Sequence, residues 1–388
     1  MKFWGITGTN GKTTTTWIAA EFINADPARK CGYVTTVEVN TGSRQFYTGY
    51  TTPPLKQLKE IFAEMEANGC TDCVMEVSSH AIHQHRTGDT VFSGGVFTNL
   101  SEDHLDYHKT MEAYFDVKLD FARQIAAAHR ATPDMGRRDL PPYVVCLDGG
   151  YGREMFNAVG NLAVNVIPVS IDCNRQQSAA FDLSDLQLVG DYNKSNVLCA
   201  AALAEAAGVD HDAIQAVIPT LKPRWGRLEE VKVKGEGEGP RVFVDFAHTP
   251  DGLEKVLAAV RKEMLQASDT KHSLWVVFGA GGDRDPMKRP LMGEACAKLA
   301  DRLVVTSDNP RSEDPMKIIE AILGGIDSNR RQSTVVEPDR KKAIEYALRE
   351  ADEGDVIIIA GKGHETTQEI RGVKHPFDDR EVVRRFAG

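Results

Sequence analysis

The chain has 388 residues, of which 41% are hydrophobic and 26% charged, a globular composition that excludes a largely disordered protein and whose length predicts two domains. Lys and Arg number 46 against 56 Asp and Glu, so the net charge of -10 argues against a nucleic-acid or anionic-membrane binder held by bulk charge and leaves room only for a local basic pocket. No apolar run reaches the roughly 20 residues that span a bilayer, the start reads as no signal peptide, and seven scattered cysteines suit a reducing compartment, so a cytoplasmic protein is expected, with no nucleic acid and no membrane among its partners.

Short apolar runs alternate with helical patterns, which predicts an α/β protein built on mainly parallel sheets covered on both faces. Residues 3–7 read as a strand, then a Gly-rich turn, then a helix over 12–23. The spacing of Leu55, Leu58, Ile61, Phe62 and Met65 predicts a helix over 55–68. Strands follow at 73–77, carrying Glu76 at its end in M-E-V-S-S-H, and at 95–99, leading into N-L-S-E-D-H-L-D with His104. Lys118 falls on a helical stretch over 111–121 and by itself reads as a solvated helix lysine. Residues 129–142 read as a loop, and 188–208 as a loop bearing Asn193 and Asn196 that enters an Ala-rich helix.

A boundary near 224–229, where Arg227 lies, divides residues 1–226 from 227–388. Two β-rich runs, 231–233 and 241–245, enclose K-G-E-G-E-G-P, read as a hairpin loop. The second run ends in D-F-A-H-T-P, with Asp245 and His248. Strands at 275–279, 303–306 and 356–360 lead into G-A-G-G-D-R-D-P-M-K-R, D-N-P-R and G-K-G-H-E.

Several of these strand ends carry chemistry. In Gly8-Thr9-Asn10-Gly11-Lys12-Thr13-Thr14 the glycines let backbone N–H groups approach phosphate oxygens at a helix N-terminus. Lys12 would neutralise the β- and γ-phosphates and the Thr13 hydroxyl would ligate Mg²⁺, although Ile6 stands where the strict P-loop pattern has its first Gly. Ligands of open α/β sheets bind at the carboxyl ends of strands. Glu76 and His104, delivered to that rim, would hold Mg²⁺ around ATP, or would simply hydrogen-bond loops. Arg311 would clamp a carboxylate with its planar fork and Glu365 would receive an ammonium, the alternative being turn chemistry with surface charge. Cys70-x-x-Cys73 reads as structural, and His80, His83 and His85 match no standard zinc spacing.

In order along the chain, G-T-N-G-K-T-T-T-T, M-E-V-S-S-H, H-Q-H-R, F-T-N-L-S-E-D-H-L-D-Y-H, D-F-A-H-T-P-D, F-G-A-G-G-D-R-D, K-R-P-L-M-G, D-N-P-R and G-K-G-H-E resemble the Mur ligase family, in its tripeptide-synthetase (MurE) type. The resemblance covers nearly the whole chain. It implies a P-loop central ATPase domain at 1–226 and a Rossmann-like, amino-acid-binding C-terminal domain at 227–388. It implies an enzyme that joins an amino acid to a nucleotide-linked peptide: a substrate carboxylate attacks the γ-phosphate of ATP, and the amine then displaces phosphate from the acyl phosphate.

By the same resemblance Lys12 and Thr13 serve the phosphates and one Mg²⁺ with Glu76, while His104 and a carbamylated Lys118 hold a second. Asn196, Arg227, Asp245 and His248 match positions tied to ATP binding or domain closure. The acceptor peptide would meet Thr51, Thr52, Ser78, Gln84 and Arg86, and the amino acid Arg284, Asp308, Asn309, Arg311, Gly361 and Glu365. D-N-P-R resembles the version that selects meso-diaminopimelate, whose extra carboxylate suits a guanidinium. Family members carry one further domain ahead of the P-loop strand, binding the uridine diphosphate end. Here that strand begins at residue 3, so the expectation is a domain supplied by a partner chain, a shortened start, or an acceptor without uridine, such as a free peptide or specialised metabolite. A non-catalytic nucleotide-binding subunit is opposed by the presence of Lys12, Glu76, His104, Lys118 and Arg311 together, and an oxidoreductase by the lack of G-x-G-x-x-G.

Overall fold

A computed structural model of the chain describes residues 1–129, 136, 139–176, 180–233, 239–266 and 271–386 and divides into two compact units, Met1–Leu221 and Lys222–Gly388. Part of the expected 129–142 loop and residues 234–238 of the expected hairpin loop lie outside the described residues.

The strands of the first unit are β1 (Lys2–Thr7), β2 (Cys31–Val34), β3 (Val39–Asn40), β4 (Gln45–Phe46), β5 (Asp72–Glu76), β6 (Phe92–Phe97), β7 (Pro142–Cys146) and β8 (Asn165–Val169). They form one sheet in the order β4-β3-β2-β5-β1-β6-β7-β8, parallel from β2 to β8, with β3 and β4 antiparallel at the edge. The chain fills β2 on one side of β1, inserts β5 between them, and then crosses to place β6 on the other side. That reversal makes the carboxyl ends of β5, β1 and β6 a topological switch point, where ligands of such sheets bind. All five residues of β5 are buried, as befits a strand covered on both faces. The polar member, Asp72, is satisfied by Trp4 Nε1 at 2.9 Å and by Arg29 Nε at 3.0 Å.

Helices α1 (Lys12–Asn24), α2 (Leu55–Ala67), α3 (Ser79–His83), α4 (Leu105–His108), α5 (Met111–Ala128), α6 (Gly152–Val159), α7 (Ile171–Gln176), α8 (Asp191–Ala206) and α9 (His211–Val217) complete this unit. Two of these differ from the sequence reading. Asn193 and Asn196 do not precede the Ala-rich helix but lie in its first turns, because Gly190 at φ 96° starts α8 directly before Asp191. Lys118 is not a solvated helix lysine: it is 1% exposed, because Tyr114, Lys118, Phe121, Ala122 and Ile125 follow the spacing of one α5 face, and that face packs on the sheet.

The second unit holds β9 (Glu229–Glu230), β10 (Arg241–Asp245), β11 (Leu274–Phe278), β12 (Arg302–Val305), β13 (Val335–Val336) and β14 (Val356–Ala360) in the order β13-β12-β11-β14-β10-β9, all parallel except β9. The antiparallel β9–β10 pair, extended by Val231 N–H to Val242 O at 2.8 Å, brackets the expected hairpin loop, with the strand two residues earlier than 231–233. A separate hairpin joins β15 (Thr367–Ile370) to β16 (Val373–Pro376). The helices are α10 (Pro250–Gln266), α11 (Lys288–Leu299), α12 (Pro315–Leu323), α13 (Ser328–Gln332), α14 (Arg340–Glu350) and α15 (Asp379–Arg385). Val242, Val244, Val277, Val304, Ile357 and Ile359 meet Ile344 and Ala347 of α14 in one core cluster.

Candidate active site

In the first unit the loop after β1 turns into α1 through Gly11 at φ 84°, where a Cβ would lie 2.4 Å from Asn196 Oδ1 of α8. A side chain there would be both strained and blocked, so glycine is required. Lys12 Nζ donates to Gly8 O at 3.0 Å and to Thr9 O at 2.8 Å. The loop is pinned from β6: Asn99 accepts from Asn10 N–H and donates to Asn10 O, both at 3.0 Å, while Thr98 Oγ1 donates to the same carbonyl at 2.7 Å. Thr9 Oγ1 lies 3.1 Å from the Tyr114 hydroxyl. Asn196 receives Thr15 Oγ1 at 3.3 Å, whereas Thr14 has no side-chain hydrogen bond among the described residues.

Glu76, buried at the end of β5, gathers the neighbouring donors. Its Oε1 accepts from Thr13 Oγ1 and from Thr36 N–H, each at 2.8 Å, and its Oε2 lies 3.1 Å from Thr36 Oγ1, itself 3.0 Å from Thr51 Oγ1. Thr52 Oγ1 donates to Glu76 O at 2.9 Å and accepts from Ser78 N–H at 3.0 Å. Ser78 Oγ caps α3 through Ala81 N–H at 3.2 Å, a cap typically worth about 1 kcal/mol. Arg86 Nη1 donates to Thr52 O at 3.2 Å and its Nε to Gln84 Oε1 at 2.9 Å. Thr51, Thr52, Ser78, Gln84 and Arg86 therefore form one connected polar network around Glu76.

Lys118 Nζ donates to Gly8 O at 2.8 Å and sits 4.7 Å over the Tyr114 ring. Burial first, and then the Lys12 charge, hold its pKa well below that of an ordinary lysine. His104, in left-handed conformation at φ 56°, has Nε2 3.4 Å from Asp103 Oδ2. Burial pushes its pKa down to about 4 against the opposing Asp103 charge, so the imidazole is neutral at pH 7 with a lone pair to offer. His80 packs edge-on to His104 at 5.0 Å and tilted on Tyr107 at 4.2 Å. Cys70 and Cys73 are buried free thiols, and so are the other cysteines except the half-buried Cys173.

In the second unit Asp245 ends β10 and accepts from Leu228 N–H at 2.6 Å and Ala247 N–H at 2.7 Å. Burial raises its pKa while the Arg227 charge opposes the rise. Arg227 lies 4.5 Å over the Phe246 ring, and His248 Nδ1 is 2.7 Å from Phe246 O. A second group collects at the ends of β12 and β14. Asn309 Nδ2 donates to Glu365 Oε2 at 2.8 Å, and a Cβ on Gly361 (φ 113°) would lie 3.3 Å from Asp308 Oδ2.

Arg311 is held by its backbone, donating to Glu369 O at 3.0 Å and accepting from Arg371 N–H at 2.6 Å. Its Nη1 donates to Gly282 O at 2.6 Å and its Nε is 3.6 Å from Glu369 Oε2. A Cβ on Gly281 would lie 3.0 Å from Arg311 Nη1 and 3.7 Å from Arg284 Cγ, so both arginines flank the 279–289 loop. Arg284 itself is tied to Asp283 O at 2.9 Å.

Sequence reasoning left several of these residues without a role. Asn99 and Tyr114 brace the P-loop, Thr36 shares Glu76, Lys362 is buried among Asp308, Asn309 and Glu365, and Arg340 lies beneath them. The position of Lys362 between two glycines was the available signal.

The sequence matches the Mur ligase middle domain over residues 6–204 and the Mur ligase glutamate ligase domain over residues 226–363. The chain belongs to the Mur ligase family. It is an ATP-dependent ligase that forms C–N bonds, with the Mg²⁺ dependence general to Mur ligases. The UDP-N-acetylmuramoyl-L-alanyl-D-glutamate--2,6-diaminopimelate ligase of Geobacillus kaustophilus (strain HTA426) is 39% identical over 398 residues, covering 98% of this chain and 77% of the relative. The ligase of the same name from Aquifex aeolicus (strain VF5) is 38% identical, covering 99% and 77%. A solved structure of a ligase of that name matches with TM-score 0.58 at 32% identity, covering 99% of this chain and 77% of that one. Escherichia coli FolC in complex with DHPP and ADP shares the Mur ligase fold at TM-score 0.61 and 17% identity, covering 94% and 86%.

The donor set of this Mur ligase fits Mg²⁺. Thr13 and Glu76 present hard oxygens at a helix N-terminus, and His104 of the same unit offers a neutral imidazole nitrogen. Among the described residues no group of three or more His, Cys, Asp or Glu side chains is placed to hold a metal ion, so phosphate and water oxygens have to complete the shell. That is the usual binding mode of Mg²⁺ in phosphoryl-transfer sites.

Proposed function

We propose that this Mur ligase adds meso-diaminopimelate to the D-glutamate carboxylate of UDP-N-acetylmuramoyl-L-alanyl-D-glutamate in peptidoglycan precursor synthesis. The observation that carries the reading is the 39% identity, across 98% of the chain, to the diaminopimelate ligase of Geobacillus kaustophilus. A cytoplasmic location accords with a nucleotide-linked substrate, and no described helix is long and apolar enough to cross a membrane.

Residues 1–226 act as the ATP-binding domain and 227–388 as the amino-acid-binding domain. The amides of Gly8, Thr9, Asn10 and Gly11, the N-terminus of α1 and Lys12 bear the phosphate charge, with Asn196, Arg227, Asp245 and His248 in ATP-binding roles. Mg²⁺, held by Thr13, Glu76, His104 and a carbamylated Lys118, neutralises the phosphates when bound. Lys118 suits carbamylation because burial and the Lys12 charge hold its pKa well below that of an ordinary lysine, which favours the neutral amine: its nitrogen lone pair adds to CO₂, a proton leaves, and an anionic carbamate forms.

The network of Thr51, Thr52, Ser78, Gln84 and Arg86 orients the acceptor so that its carboxylate oxygen attacks the γ-phosphorus and ADP leaves. The free amine of the amino acid then attacks the acyl carbon, and the phosphate departs with its bridging oxygen as the amide forms. Arg311, flanked by Arg284, pairs with the distal carboxylate of diaminopimelate, while Asp308, Asn309, Gly361 and Glu365 meet its ammonium end.

Mass spectrometry of a reaction with ATP, Mg²⁺, bicarbonate, meso-diaminopimelate and the nucleotide acceptor tests the reading. The expected product is the diaminopimelate adduct of the acceptor, absent with Lys12→Ala or Glu76→Ala. An adduct seen only on the dipeptide lacking the nucleotide sugar, or on neither acceptor, rejects it.

A further inference from the structure

The segment Gly361-Lys362-Gly363 drops a lysine into the interior of the second unit. Both glycines have positive φ, 113° and 52°, and Lys362 is 0% exposed. Its Nζ donates to Glu365 Oε2 at 2.8 Å and to Asn309 Oδ1 at 3.1 Å, and lies 3.8 Å from Asp308 Oδ1. The backbone N–H of Glu369 donates to the same Asn309 oxygen at 2.9 Å. Two groups that only donate therefore face Oδ1, which fixes the amide orientation and aims Nδ2 at Glu365 Oε2. That carboxylate oxygen accepts two hydrogen bonds, which leaves Oε1 as the oxygen available to a further donor.

We propose that Lys362 is a positioning and specificity-determining residue for the amino-acid substrate, acting through Asn309 and Glu365 and offsetting one of the two carboxylates, Asp308 and Glu365. The inference rests on the amino-acid site proposed above. A buried lysine without partners is costly, and this one is matched by two acidic groups and an amide. With its charge in place the cluster suits an amino acid whose distal end is zwitterionic. Without that charge both carboxylates are uncompensated, which repels an additional substrate carboxylate and favours a distal ammonium alone. Lys362 thus works with Arg311 on one discrimination: Arg311 attracts the extra carboxylate, and Lys362 keeps the nearby acids from opposing it.

The test compares the full-length wild type with Lys362→Met, Lys362→Arg and Lys362→Gln. Initial rates are measured with meso-diaminopimelate and with L-lysine, and folding is followed by thermal melting. The expected result for a folded Lys362→Met protein is a KM for diaminopimelate raised at least tenfold and a KM for ATP within twofold of wild type. The ratio of kcat/KM for diaminopimelate over lysine should fall at least tenfold, with partial recovery of that ratio in Lys362→Arg. If Lys362→Met unfolds, Lys362→Gln, which keeps a polar tip but no charge, carries the same comparison.

An unchanged ratio in folded Lys362→Met or Lys362→Gln overturns the proposal while leaving the functional reading intact. Failure of every Lys362 variant to fold assigns the residue to stability alone and also overturns it. Wild type that forms no diaminopimelate adduct overturns both.

Discussion

Lys12 and Lys118 donate to one acceptor, the carbonyl oxygen of Gly8, at 3.0 and 2.8 Å. Two ammonium groups so close in a buried site repel, and burial together with the Lys12 charge holds the Lys118 pKa well below that of an ordinary lysine. Lys118→Met removes a buried amine whose desolvation costs stability. It is expected to raise stability by on the order of 1–3 kcal/mol while abolishing ligation. Calorimetric Tm and product formation check both, and a ¹³C-bicarbonate NMR signal seen in wild type should vanish in the variant.

Glu76 binds through both carboxylate oxygens, to Thr13 on one side and Thr36 on the other. Glu76→Gln keeps the shape, replaces one acceptor by a donor and removes the charge. A loss in kcat on the order of a hundredfold is expected, with an unaltered Tm, read by coupled ADP release at saturating Mg²⁺.

His108 lies 2.9 Å from Ser79 Oγ and stacks on Tyr114 with ring centroids 4.8 Å apart. Burial, then the charges of His80 and Lys118, push its pKa down to about 4. Between that value and the unfolded value of about 6.5 the unfolded chain binds more protons. Stability is therefore intact above pH 6.5 and is lost as pH falls toward 4. In urea titrations at pH 7 and pH 5, His108→Phe should lose less stability between the two than wild type does.

Arg340 and Asp379 form an ion pair, each 0% exposed, in which Nη2 reaches Oδ2 at 2.7 Å. The same guanidinium donates to Ala360 O at 2.9 Å and Ser307 O at 3.3 Å, tying α15 to the ends of β14 and β12. Arg340→Met alone strands a buried carboxylate and should destabilise by about 3–5 kcal/mol, whereas Arg340→Met/Asp379→Leu should recover most of that loss. Denaturant unfolding of the three proteins decides it.

The P-loop and strands β1, β5, β6, β10, β11, β12 and β14 were legible because strand–turn–helix punctuation survives in a single sequence, whereas β2, β7 and β8 of the first sheet went unread. Glu76, His104, Asp308 and Glu365 were legible because each follows an apolar run. Lys118 was misjudged on its own because a charged residue was assigned to the wet face, although Tyr114, Phe121 and Ile125 put it at helical spacing on the buried one. The β15–β16 hairpin that grips Arg311 went unread. Its turn, Arg371-Gly372 with φ 50° and 75°, is a two-residue type that lacks the usual Asn or Asp. Arg340 could not be found, since nothing local distinguishes a helix-start arginine facing Asp379 from one facing water.

The grip on Arg311 has a consequence for how such an enzyme changes over generations. Its main chain is fixed from both directions by Glu369 and Arg371, and the bond partners are backbone atoms. A codon change at position 311 alters the side-chain tip while the loop that carries it keeps its course. At φ 50° that freedom extends to side chains unbranched at Cβ, whereas branched ones would strain the loop. Newly admitted substrates would inherit a ready-built scaffold.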